Sequence, residues 1–183
     1  MKMISGKLVL ALLLPALSIY CLMIFVTLAH LSALAGGQRV FDMMPAGYGL
    51  TYAGGLLESL GEEGRRYYLT RQIPLDLIYP ILFAVSFWAL SNWLALRITR
   101  YARFFRSIGY IPIVAGAFDY VENGLVVLML RSYPSLSPTL VQWASGASLA
   151  KSAVTTLFFC LLLAVLFWTL ASTLLWRGRM NRN

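Results

Sequence analysis

Charge is scarce in this chain: only 12% of its 183 residues are Asp, Glu, Lys or Arg, while 60% are hydrophobic. A soluble globular domain carries about twice that share of charge, so the composition excludes one and indicates a membrane protein. Histidine is nearly absent too, with His30 standing alone, and no HExxH or cysteine cluster is present. Zinc therefore lacks its usual ligand set, and neither metal nor cofactor is expected. The two cysteines, Cys21 and Cys160, lie far apart with no CxxC spacing, which leaves dithiol redox chemistry without support. They read as small apolar packing residues. No serine has the His and Asp context of a nucleophilic triad. Although the net charge is +8, basic and aromatic residues do not interleave on a soluble surface, so nucleic acid is not a partner.

Long apolar runs are what the chain has instead. Four of them, Leu8 to Ala35, Ile73 to Leu96, Gly109 to Leu130 and Val141 to Trp176, reach or exceed the roughly 20 residues that cross a bilayer core. The expected fold is an all-α membrane protein, an antiparallel four-transmembrane-helix bundle forming a single domain over residues 1–183. A short amphipathic helical cap is expected between helices 1 and 2, over about residues 38–72. The two ends and the middle loop hold Lys2, Lys7, Arg97, Arg100, Arg103, Arg106, Arg177, Arg179 and Arg182 with no acid among them. By the positive-inside rule both termini are expected in the cytoplasm, with the cap outside. Contact with anionic lipid is a second use for that charge. Ala33-Leu34-Ala35 has the look of a signal-peptide cleavage site, but the preceding run is far longer than a signal core, so an uncleaved anchor is expected.

Within the cap, Gly36-Gly37 ends the first helix and Asp42-Met43-Met44-Pro45 reads as a turn. A helix is expected over Ala46 to Leu60, with Tyr48, Tyr52 and Leu56 on one face, closed by Gly61. Glu62 to Gln72 reads as a second amphipathic stretch running into span 2. Its Arg65, Arg66, Tyr67 and Tyr68 suit either an interfacial aromatic and phosphate-contacting belt or a lid over an interhelical pocket.

Ionisable residues inside the apolar runs are costly unless they pair, line a cavity or work. Asp119, Glu122 and Asn123 follow i, i+3, i+4 spacing and share one helical face. Counting 1.5 Å per residue puts Asp119 roughly 15 Å into span 3, and Lys151 at a matching depth in span 4. A Lys151 ion pair with Glu122 or Asp119 is therefore expected. Asp76, Tyr79 and Pro80 start span 2, and Asp76 is expected about 5 Å from the helix end, wet and within reach of Arg71 or Arg66. His30, one turn from the end of span 1 and on the face of Thr27 and Tyr20, is expected with Asp76 at the mouth of an outward-opening polar column. Asp119, Glu122 and Lys151 are the candidate catalytic set, and Asp76, Asn123, His30, Tyr79 and Arg66 the candidate ligand contacts. Oxygen ligands of this kind would suit a hard cation, although no metal motif accompanies them.

The motifs Gly61-Glu62-Glu63-Gly64-Arg65-Arg66-Tyr67-Tyr68, Pro74-Leu75-Asp76 with Tyr79-Pro80, Asp119 with Glu122-Asn123, and Lys151 resemble a family of small, uncharacterised four-span bacterial integral membrane proteins. The resemblance implies the bacterial inner membrane and carries no activity. Two functions fit the residues. In one, the polar site binds or acts on a lipid-like or amphipathic small molecule, with membrane lipids as partners. In the other, the buried charges form an interhelical knot, or an ion or proton path, in a structural subunit or homo-oligomer.

Overall fold

The computed structural model describes residues 4–180, with side chains placed as far as Ser172. Lys2 and Arg182, and the side chains of Arg177 and Arg179, lie outside what is described, so the terminal share of the charge asymmetry rests on the sequence. Helix α1 (Gly6–Leu22) starts at Ser5, whose hydroxyl accepts from the Leu8 amide at 3.2 Å. Pro15 interrupts its hydrogen bonding, and Ser86 donates to the nearby Leu12 carbonyl at 2.9 Å. A π-helical turn, Met23–Thr27, leads into α2 (Leu28–Leu34). There the chain leaves the helix through Gly36 and Gly37, both with positive φ, and the Gly37 amide closes the end on the Ser32 carbonyl at 2.8 Å.

The cap follows. One 3₁₀ turn, Phe41–Met43, precedes α3 (Leu50–Tyr67), which breaks at Gly61, where φ is 61° and ψ is −172°. The apolar face of α3, Ala53, Leu56, Leu57 and Leu60, is buried against Leu31, Phe41, Val126 and Met129. The helix begins at Leu50, later than the expected Ala46. Gly47 takes a left-handed φ of 81° and comes so close to Ser145 that a β-carbon there would sit 2.5 Å from its hydroxyl. That turn aims the Tyr48 amide at Ser145 Oγ, 2.8 Å away, and pins the cap to the last helix.

Beyond Gly61 the chain stays helical through a π-helical turn, Tyr68–Gln72, into α4 (Ile73–Arg97). A 3₁₀ turn and the short α5 (Ala102–Ile108) then reverse the chain, with Phe105 and Ile108 buried. Helix α6 (Ile111–Ser132) and α7 (Pro138–Met180) complete the bundle. Four continuous helical stretches, Gly6–Leu34, Leu50–Arg97, Thr99–Ser132 and Pro138–Ser172, are long and apolar enough to span a membrane. Large apolar side chains such as Phe25, Ile81, Leu163 and Phe167 face outward, where lipid rather than water satisfies them. The protein is thus an all-α four-helix bundle of the integral membrane class.

Helix α6 packs on both α4 and α7, and α1 packs on α4. Close approach of α4 and α6 occurs at Gly116, where a β-carbon would lie 3.3 Å from the Pro80 carbonyl oxygen. Helices α1 and α7 meet across a cavity rather than by tight packing, and that gap positions the site.

Candidate functional site

Pro80 organises the polar interior. A proline inside a helix cannot donate to the carbonyl four residues back, which leaves the Asp76 carbonyl open. Asn123 fills it with Nδ2 at 3.1 Å, and the Tyr120 hydroxyl donates to the next carbonyl, that of Leu77, at 2.6 Å. Gly116, Tyr120 and Asn123 therefore form the α6 face that packs on α4 around Pro80. Replacing Asn123 with Ala is expected to destabilise the solubilised protein by about 1–2 kcal/mol, because a buried carbonyl loses its donor. Tyr120→Phe should cost less than about 1 kcal/mol, since lipid-exposed Tyr120 leaves no comparable buried orphan. Unfolding midpoints in mixed micelles check the ranking.

The adjoining face of α6 carries the charges. Lys151 of α7 reaches Asp119 Oδ1 at 3.2 Å and also forms an ion pair with Glu122. Glu122 is only 1% exposed and accepts from the Ser148 hydroxyl through its other oxygen. The i, i+3 spacing on α6 and the Ser148–Lys151 spacing on α7 thus bring the two expected partners together.

Asp76 sits elsewhere than expected. It is 4% exposed, bonded to Gln72 Nε2 at 2.8 Å, and Gln72 in turn takes a hydrogen bond from Thr27. Neither Arg66 nor Arg71 reaches it among the described residues. The cause is helical continuity: α4 does not end above Asp76 but continues through the π-helical turn to Glu62, and the cap covers it. His30 does not join Asp76 either. Its exposed ring packs on Tyr67 with centroids 4.5 Å apart, away from the cavity. Arg66 is exposed as well, while Arg65 ties the cap to itself by donating to the Leu57 carbonyl at 2.7 Å and lies over the Tyr133 ring. The outer tier of the expected column is therefore absent, and the cap closes that end.

Between α1 and α7, with α4 and α6 as its floor, lies a cavity of about 740 Å³. That volume falls in the range of small-molecule sites. One end is polar: Asp119, Lys151, Ser152 and Thr155 line it, and Asp42 of the cap hangs over it. Tyr20 and Tyr79, stacked with centroids 5.6 Å apart, form the next stretch of wall. The other end is lined by Leu10, Leu13, Leu14, Phe87 and Phe159. Of the expected site residues, Asp119, Lys151 and Tyr79 face the cavity, whereas Glu122, Asn123 and Asp76 stand behind that wall.

Asp42 belongs to the site although its spacing does not announce it, and Tyr48 and Tyr68 pack behind the cavity wall. The buried Tyr68 hydroxyl donates to Asp42, and Phe41 packs between the Tyr48 and Tyr68 rings. Tyr48 faces Ser148 and Glu122, so burial first, and the Glu122 charge second, push its ionisation well above the usual tyrosine range. The one signal available was a solitary acid, Asp42, set among Val40, Phe41, Met43 and Met44. Both cysteines are free thiols. Among the described residues no three His, Cys, Asp or Glu side chains are placed to hold a metal ion. The carboxylates are turned instead toward Lys151, Gln72 and Tyr68.

No protein-family model, curated protein or solved structure matches the chain.

Proposed function

We propose that this integral membrane protein holds a lipid-like amphiphile in the cavity between α1 and α7. The observation that carries the proposal is the polarity gradient within one continuous space: acids, a lysine and hydroxyls at one end, leucine and phenylalanine at the other. From Tyr20 to Leu10 the wall runs ten residues of α1, about 15 Å, which suits an extended hydrocarbon tail. Asp119 and Lys151 contact the head, while Glu122 and Ser148 hold Lys151 in place from behind. Asn123 and Asp76 act as positioning groups that lock α4 to α6. The arginine-rich turn between α4 and α6 supports a cytoplasmic location for that end, hence a cap facing outward.

The interhelical-knot reading has its own support, because Glu122 and its Lys151 contact are buried whether or not the cavity is filled. The cavity favours the amphiphile reading, since a knot needs no adjoining space. Native mass spectrometry of protein extracted without delipidation tests this. One bound amphiphile per chain is expected, and a bare mass under conditions that retain other lipids would refute it.

A further inference from the structure

The cavity's charge says what kind of head it takes. Among the described residues Lys151 is the one basic side chain lining it, and Lys151 is already engaged by Asp119 and by Glu122. Against it stand two acids that line the same space, Asp119 and Asp42. Asp42 reaches that space from the cap, on the 3₁₀ turn Phe41–Met43. Its only hydrogen-bond donor among the described contacts is the Tyr68 hydroxyl, a neutral group. The lined end of the cavity therefore holds an excess of acidic over basic groups in surroundings where unpaired charge is costly.

A phosphate or sulfate head would add to that excess and meet one lysine shared between two carboxylates. A neutral sugar head would supply hydrogen bonds and leave the excess as it is. An ammonium would cancel it. Resting on the cavity reading above, we infer that the occupant is a single-chain amphiphile with a protonated primary amine, its nitrogen between Asp42 and Asp119 and its tail toward Leu14 and Phe159. Three N–H donors match the oxygens offered by the two carboxylates and by Ser152 and Thr155. The stacked Tyr20 and Tyr79 rings, beside the same polar end, add aromatic faces that attract a cation. The cap then has a chemical role: it delivers the second carboxylate, Asp42, to a cavity whose helices supply only the first.

The test uses the full chain in phosphatidylcholine nanodiscs and measures saturable binding, above that of empty discs, of dodecylamine, dodecyl phosphate and dodecyl maltoside. Dodecylamine is expected to bind at one saturable site at least roughly tenfold more tightly than the other two, the difference one charge-assisted hydrogen bond makes. Asp42→Asn should weaken amine binding by roughly tenfold or more. Tyr68→Phe, which removes the same cap tie but keeps the carboxylate, should leave it within about threefold. Maltoside or phosphate binding as tightly as the amine would overturn the head assignment while leaving the cavity reading intact. Equal losses in Asp42→Asn and Tyr68→Phe would overturn it as well, by showing that cap integrity rather than charge matters. Absence of a saturable site for every probe would overturn both readings.

Discussion

Replacing Lys151 with Met is expected to lower the stability of the solubilised bundle by about 3–5 kcal/mol, the cost of leaving a buried charge without its partner. Glu122 sets the size of the effect, because at 1% exposure it has no water to fall back on, and Ser148 offers it a single neutral donor. Asp119, half-buried and lining the cavity, can be reached by other groups and contributes less. The loss should be recovered in large part by Glu122→Gln in the same chain, since an uncharged amide can still accept from Ser148. Unfolding midpoints in mixed micelles for the single and double variants give the two numbers. A Lys151→Met midpoint within about 1 kcal/mol of the parent would show that Glu122 carries no charge in the folded bundle. Failure of the second substitution to rescue would show that Lys151 stabilises α7 by something other than its pairing.

Ser152→Phe is expected to empty the cavity with little effect on stability. Ser152 is a small, half-buried side chain on the α7 wall, one residue past Lys151, and it takes no part in the Lys151, Glu122 and Asp119 contacts. An aromatic ring there fills the space between the polar end and the Tyr20–Tyr79 wall, and cavity filling of this kind tends to stabilise rather than unfold. The occupancy expected by native mass spectrometry should fall from one amphiphile per chain to none, while the unfolding midpoint stays the same or rises. Retained occupancy in a folded Ser152→Phe protein would place the amphiphile outside this cavity. The pair of variants separates the two roles: Lys151→Met tests the charges as a structural link, and Ser152→Phe tests the space beside them.

Much of the bundle was legible because lipid imposes a simple rule, that every residue in contact with it be apolar and every backbone group be paired within a helix. All four apolar runs lie in long helices, and Gly61 breaks α3 where the sequence places a stop. The Lys151 pairing with Asp119 and Glu122 was legible too, because helical spacing and rise fix which residues share a face and a depth. Asp76 shows where that counting fails. Hydropathy marks where lipid contact starts, not where a helix ends, and helix continues past Gln72 under a buried cap. Asp42 was read as a turn residue because its neighbours are distant in sequence: Tyr68 lies 26 residues on, and the cavity beneath it is built from four helices. The cavity itself depends on α1 and α7 not packing, which no local pattern records.

The proposed arrangement is one amphiphile between α1 and α7 with its head at Asp119 and Lys151. An experimental density map of the protein, purified from its native membrane without delipidation, tests it most directly. The predicted result is a single elongated feature running from Asp119 and Lys151, past Tyr79, to Leu14 and Phe159. A cavity holding only discrete water peaks, or closed by α1 collapsing onto α7, would contradict it.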